Sequence, residues 1–390
     1  MLHRLSRLAS PRASVDLGLV FGCSQPLEAA PWSHVARVGT FDFPHRLRWS
    51  GTAALVRNQR ALRRWLRAGD VRACVAMTFA AAFRGALATA GTSTPVAWLC
   101  TFSVRAQRGL RNMVRRSAAL RALGLSGALA VCPSLATRDE LTELGYPRDR
   151  VRVISFGVEL GRFDVARPSA AERRQFHQRH GIPAGALVAL HVARLDPVKN
   201  HDLLLRAVAV AGRAGVRVAL VCVGDTSVHH AQHAAGLRAR AHELGVADRV
   251  LFAGRQGDVA AWLAAADVAV MSSHTETAGL SLIEGAAAGL PLLSSRVGSA
   301  PELVVPGRSG FLFDADDVDA CARHLVTLAQ SAAYRQTLGA EARRLAETSF
   351  DIRDTDRRWL TLFAELLRVP PQQAGSSEAG SAVPTREAIA

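Results

Sequence analysis

The chain has 390 residues, enough for two domains of ordinary size, and 49% hydrophobic against 21% charged residues marks a globular rather than a disordered protein. The net charge of +15 is confined to one half: residues 1–160 hold 23 basic and 9 acidic side chains, the remainder 25 and 24, which points the first half at something anionic. No apolar run approaches the roughly 18 residues of a membrane span, and six scattered cysteines without a C-x-x-C pair read as reduced core residues of a cytosolic protein, not as disulfides or zinc ligands.

From the N-terminus, "MLHRLSRLASPRASVDLGLVFG" is basic but lacks an apolar core, and Asp16 interrupts its more apolar end, so neither a signal peptide nor a transmembrane helix is expected. Strand candidates are "VDLGLVFG", "VRACVAMTF", "PVAWLCTF", "GALAVCP" and "RVRVISF", with helical stretches at 52–67, at 105–123 and in "CPSLATRDELTELG", where Ser134 or Thr137 caps and Gly145 stops the helix. This alternation predicts βαβ units and a parallel sheet. Arg57, Arg60, Arg64 and Arg67 recur at helical spacing with Leu55, Leu62 and Leu66 on another face, and Arg105, Arg108, Arg111 and Arg115 repeat the pattern. Basic amphipathic helices suit an anionic membrane surface or an anionic lipid-linked acceptor. The plainer reading is a solvated face in an arginine-rich chain, but the second half shares the arginine bias and is near neutral, which favours the first. No recognition helix or aromatic-interleaved basic module suggests nucleic acid.

A second alternation begins after a junction at 157–163, with strands "ALVALHVAR", "VRVALVCVGD", "RVLFAG", "DVAVMSS", "PLLSS" and "GFLF". At the end of its first strand stands "HVARLDPVKN", which contains the only lysine of the chain, Lys199. Arg194, Lys199 and the N–H groups of the next helix converge beyond the strand end, where a doubly wound sheet binds ligands, and suit a phosphate or diphosphate. In "HTETAGLSLIEGAAAGLPLLSS", Glu276 precedes and Glu284 lies within a helix starting near Gly279, so two carboxylates bracket a helix N-terminus. Two acids beside an anion site make sense as holders of hydroxyls, one set from a ribose and one from a sugar. "DAD" at 314–316 imitates a metal-binding D-x-D but precedes a helix and sits beside Asp317 and Asp319, so capping is the better reading. His229 and His233 in "SVHHAQH" have no third ligand nearby and read as a surface helix start. A last strong helix covers 351–367, and a Pro-, Gly- and Ser-rich tail at 370–390 is expected to be disordered.

R-L-x-x-x-K at Arg194 to Lys199, then E-x7-E at Glu276 and Glu284, with "GLP" after the helix, resembles glycosyltransferase family 4. "ATRDELTELGYPRDRVRVISFGVELGRF" and "DRVLFAGRQGDVAAWLAAADVAVMSSHTE" follow the family pattern too. The resemblance implies the GT-B fold: two Rossmann-like doubly wound parallel-sheet α/β domains, a basic acceptor-side domain at 1–157 and a nucleotide-sugar-binding domain at 158–350, with a helix at 351–369 packing back on the first. The family's first strand and Gly-rich loop have no recognisable counterpart, and "VDLGLVFGCSQ" is similar to its second strand, so the first domain is either shortened at its N-terminus or diverged. By resemblance, Arg194 and Lys199 bind the donor diphosphate, Glu276 the donor-sugar hydroxyls with the backbone of Gly279, Leu280 and Ser281, Glu284 the ribose, and the backbone near Gly254 and Arg255 the base. The implied activity is retaining, metal-independent transfer of a hexosyl or related unit, without a cofactor, from a UDP- or GDP-linked sugar to a lipid- or polysaccharide-linked acceptor. The setting would be cell-envelope or exopolysaccharide synthesis, in the cytoplasm and peripheral on the inner face of the membrane. The alternative is a protein that binds nucleotide sugar and membrane without transferring.

Overall fold

A computed structural model of the chain describes residues 15–19, 35–40, 52–69, 71–101, 110–164, 168–226 and 230–367. They divide into two units, one holding the described residues up to Ile154 and those from Thr355 on, the other Ser155–Asp354. Arg105, Arg108, His229 and the tail from 370 lie outside the described residues.

In the first unit β1 (Val15–Leu19) pairs in parallel with β2 (Val35–Thr40). There follow α1 (Thr52–Ala68), β3 (Cys74–Ala76), α2 (Phe79–Thr89), β4 (Val96–Leu99), α3 (Leu110–Leu125), β5 (Leu129–Cys132), α4 (Leu135–Glu143) and β6 (Val151–Val153), with a parallel sheet ordered β3-β4-β5-β6. Strands β1, β3, β4, β5 and β6 and helices α1, α3 and α4 fall on the predicted stretches, the first residues of the 105–123 helix lying outside the described residues. Helix α2 is not among them, and neither is β2, where "VARVGT" carries Arg37 and Gly39 and lacks the apolar run that betrays the other strands. Ser134, not Thr137, caps α4, its Oγ accepting from Thr137 N at 3.1 Å. Trp98 is fully buried on β4; its Nε1 donates to the Tyr146 hydroxyl at 3.0 Å, which donates to Ala128 O at 2.8 Å, so both polar tips inside this core are paired. On α1, Leu62 and Leu66 bury against Ala88 while Arg57, Arg60, Arg64 and Arg67 are exposed. The helical spacing thus becomes one apolar and one cationic face.

The second unit carries α5 (Ala170–Arg179), β7 (Leu187–Val192), α6 (His201–Arg213), β8 (Val218–Val223), α7 (Ala231–Glu243), β9 (Val250–Gly254), α8 (Val259–Ala265), β10 (Val268–Met271), α9 (Leu280–Ala287), β11 (Leu292–Ser295), α10 (Ala300–Leu303), β12 (Gly310–Phe313), α11 (Val318–Gln330) and α12 (Ala332–Ser349). The helix α13 (Ile352–Leu367) ends the described chain. The six strands are parallel in the order β12-β11-β10-β7-β8-β9. Strands β7, β8, β10 and β11 are buried on both faces, which is why they read as largely apolar runs, broken only by His191 in β7 and by Ser294 and Ser295 in β11. One face is covered by α6, α7 and α11, the other by α8, α9 and α12. Chain order reverses between β7 and β10, the place where such a sheet opens a crevice at its carboxyl edge.

Helix α9 lies close on β10 because Gly285 has no side chain: a Cβ there would stand 2.3 Å from the Cβ of Ala269. Gly285→Ala is therefore expected to destabilise the protein by about 1–3 kcal/mol through overpacking. Gly236→Ala on α7, where a Cβ meets nothing within 4 Å, should stabilise it by about 0.5–1 kcal/mol. Denaturant midpoints of the two variants check the pair, and equal shifts of the same sign would contradict the close approach.

Candidate functional site

Backbone pairing between β7 and β10 stops at Val268↔Ala189 and Ala269↔Leu190. Beyond that point side chains and loops bridge the parting strands. His191 Nδ1 lies 2.9 Å from Val270 O, Ser272 Oγ donates to Lys199 O at 2.8 Å, and His274 N donates to Val198 O at 2.8 Å. The loop from β7 is itself shaped by Asp196, whose Oδ1 accepts from Val198 N at 3.1 Å, and by Asn200, which takes a left-handed conformation (φ 52°, ψ 48°) to turn the chain into α6.

The two parting chains carry the predicted charges to one place. Lys199 Nζ donates to Glu276 Oε2 at 2.5 Å, and both side chains are mostly shielded, 20% and 19% exposed. Ser273 Oγ lies 3.4 Å from the same carboxylate oxygen. Arg194 is 65% exposed, its Nη2 3.3 Å from Asp196 Oδ2. Neither α6 nor α9 has a side-chain cap: the Asn200 amide donates instead to Ala315 O at 2.8 Å, and α9 opens on Gly279 at φ 62°. The first N–H groups of both helices thus lack intrahelical acceptors beside two cations, an arrangement that accepts a multiply charged anion. An ammonium has three donors, so Lys199 can keep one on Glu276 and offer two to phosphate oxygens, the combination an in-plane guanidinium does not give from one point.

Glu284 sits on α9 about 6 Å along the axis from Leu280. Burial raises its carboxyl above the usual range, and the Arg162 guanidinium partly opposes the rise. Leu280 is 45% exposed and Ser281 half-buried, both on the first turn of α9. Gly254 ends β9 on the same edge of the sheet, its carbonyl accepting from Gly224 N at 2.9 Å, and Arg255 beyond it is exposed. Arg194, Lys199, Glu276, Gly279, Leu280, Ser281 and Glu284 are therefore gathered around the parting of β7 and β10, while Arg57, Arg60, Arg64 and Arg67 belong to the other unit.

Asp317 caps α11, its Oδ1 accepting from Ala320 N at 2.8 Å, in keeping with the capping reading of the "DAD" stretch. Among the described residues no group of three or more His, Cys, Asp or Glu side chains is placed to hold a metal. His233 stands at the start of α7, as expected, but it is half-buried, and its Nε2 is buried with no hydrogen-bond partner among the described residues. Sequence reasoning also passed over His191, His201 and Ser272. The signal for His191 was available as the one polar residue in "LVALHV".

Two family models match, glycosyl transferases group 1 over residues 172–345 and glycosyltransferase family 4 over residues 7–162. The D-inositol 3-phosphate glycosyltransferase of Streptomyces avermitilis is 41% identical over 206 residues, 51% of this chain and 44% of that protein. The Thermobispora bispora protein of the same name is 37% identical over 240 residues, 58% and 55% of the two chains. The chain thus spans about half the length of the curated relatives it matches. Among solved structures, Anabaena HepE in complex with UDP superposes with a TM-score of 0.77 at 21% identity, covering 93% of this chain and 95% of that one. Sucrose-phosphate synthase from Thermosynechococcus elongatus gives 0.75 at 21%, covering 95% and 93%. With the crevice, its cations and these matches together, the chain belongs to glycosyltransferase family 4 and has the GT-B fold of two parallel-sheet α/β domains.

Proposed function

We propose that the protein is a retaining glycosyltransferase that moves a hexosyl unit from a UDP- or GDP-linked sugar to a lipid-linked or polysaccharide acceptor in cell-envelope synthesis. The observation that carries this reading is the pair of uncapped helix N-termini flanked by Arg194 and Lys199 at the parting of β7 and β10, with Glu276 and Glu284 beside them. Cleavage at the anomeric carbon builds negative charge on the departing diphosphate. Arg194, Lys199 and the two helix N-termini stabilise that charge more than the charge of the bound donor, which is differential transition-state binding. Glu276 and Glu284 accept from donor-sugar and ribose hydroxyls. Relatives named as D-inositol 3-phosphate glycosyltransferases and fold neighbours solved with UDP and UDP-glucose support a nucleotide-sugar donor. In this reading residues 158–350 bind the donor and residues 1–157 the acceptor, with the α1 arginine face resting on the anionic inner surface of the cytoplasmic membrane.

Nucleoside diphosphate should raise the melting temperature of the wild-type chain even at high salt, and Lys199→Ala should weaken binding about tenfold or more, the loss of a charge-assisted contact of about 1.5–3 kcal/mol. If calorimetry finds Lys199→Ala unchanged, the diphosphate assignment fails.

Glu284 should move stability and affinity in opposite directions. Its raised carboxyl pKa means that the folded chain takes up a proton, as pH falls, before the unfolded chain does. Stability of the empty protein therefore gains as pH falls through that value, while donor affinity, which uses the carboxylate, is lost. Glu284→Gln is expected to raise the melting temperature of the empty protein and to lower nucleotide affinity at neutral pH; a parallel change in both would contradict the assignment.

Because side-chain cations and helix dipoles carry the leaving-group charge, transfer is expected to persist in excess EDTA and to give product of the donor's anomeric configuration, read by NMR. Inverted product would overturn the retaining assignment. On anionic vesicles, replacing Arg57, Arg60, Arg64 and Arg67 together by alanine should cut association by a hundredfold or more, from about 1 kcal/mol per arginine. Unchanged cosedimentation would remove the membrane from the reading.

A further inference from the structure

Behind the diphosphate loop lies a pair of imidazoles to which the donor chemistry gives no role. His191 on β7 and His201, the first residue of α6, are both fully buried, with ring centroids 4.6 Å apart in an edge-to-face arrangement. His191 Nδ1 reaches Val270 O on β10 at 2.9 Å, one step past the last backbone pair of the two strands, so an imidazole continues the ladder where the backbones part. Both ring nitrogens of His201 are buried with no hydrogen-bond partner among the described residues, a costly arrangement in a core. The Lys199–Asn200 step leads directly into His201, and Ser272, two residues after Val270, anchors that step by donating to Lys199 O at 2.8 Å and Asn200 O at 3.0 Å.

We propose that His191 and His201 are positioning residues for the donor diphosphate: His191 bridges β7 to β10 at the floor of the crevice, and the packed pair holds the Lys199 turn in register with Glu276. Burial keeps both rings neutral at physiological pH, pushing His191 down to about 4 and His201 to about 2. A neutral His191 that donates through Nδ1 has a fixed tautomer, and it places no positive charge behind Lys199. His201 serves through its ring, which packs edge-to-face with that of His191. The inference rests on the donor-site reading.

The test uses full-length protein and whichever of UDP, GDP or ADP stabilises the wild type most. His191→Leu, which removes the donor to Val270 O, should raise the Kd for that nucleotide about tenfold, and the donor KM with it, while kcat changes less than threefold. His191→Asn, which restores an N–H at that position, should return the Kd to within about threefold of wild type. His201→Ala should behave as His191→Leu does, and His201→Phe, which keeps a ring, should bind as the wild type. The control is His177→Leu: His177 Nε2 lies 2.9 Å from Ala265 O, the same kind of bond, but at the opposite end of β10. It should lower the melting temperature and leave the Kd unchanged. If the wild type binds none of the three nucleotides, the donor-site reading falls and this inference with it. If the wild type binds and folded His191→Leu stays within threefold of it, or His191→Asn binds as weakly as His191→Leu, or His177→Leu weakens binding equally, the positioning role alone is overturned. Should His191→Leu fail to fold, the contrast of His201→Ala with His201→Phe decides the question in the same terms.

Discussion

The parting of β7 and β10 is the constraint on which the second unit of this protein turns. A parallel sheet satisfies its backbone by pairing, and pairing here ends after Ala269↔Leu190 because the chain beyond each strand must reach a helix on the opposite face: α6 on one side, α9 on the other. Carbonyls left behind by the separation would each cost about 1–3 kcal/mol if buried unpaired. Val270 O takes His191, Lys199 O and Asn200 O take Ser272, and Val198 O takes His274 N. The same separation aims two helix N-termini into one opening. The crevice and the bonds that close its floor are one structural event.

Within that opening each cation already has a carboxylate. Lys199 rests on Glu276 and Arg194 lies near Asp196, so these four charges nearly cancel. In the donor-site reading proposed above, an incoming diphosphate does not meet bare charge; it shares or displaces an existing partner. Lysine suits the deeper position because three protons on one point charge can be divided between Glu276 and phosphate, and arginine suits the exposed position, where a planar fork can meet phosphate oxygens edge-on. That division of labour is a physical reason for one lysine to persist in a chain that otherwise uses arginine for its positive charge.

The central strands of the second unit were legible because burial on both faces leaves mostly apolar residues to write them with, and α1 was legible because its two faces differ so sharply. β2 was not, since "VARVGT" gains its identity only from pairing with β1. The cations and carboxylates of the site declared themselves as an anion-binding pattern, and resemblance to a family supplied their division into diphosphate, ribose and sugar contacts. What stayed hidden was the support beneath them. A histidine inside "LVALHV" reads as ordinary core until its partner is known, and that partner, Val270, is 79 residues away. Ser272 likewise acts on a backbone 73 residues distant. Such contacts are set by strand order, which local pattern does not encode.

Charge is organised differently in the two halves, and the difference has a physical use. In the second unit the cations of the site are matched by acids within hydrogen-bonding or ion-pairing reach, and Lys199 and Glu276 are shielded from solvent, so their interactions are weakly screened by salt. On α1 the four arginines stand exposed along one face. At physiological ionic strength their field decays over about 8 Å, so they act only on a surface brought against them. Ligand binding by the first kind of site depends on geometry, and by the second on proximity and counterion concentration. The matched charges of the second unit and the exposed charges of α1 can therefore vary independently within one protein.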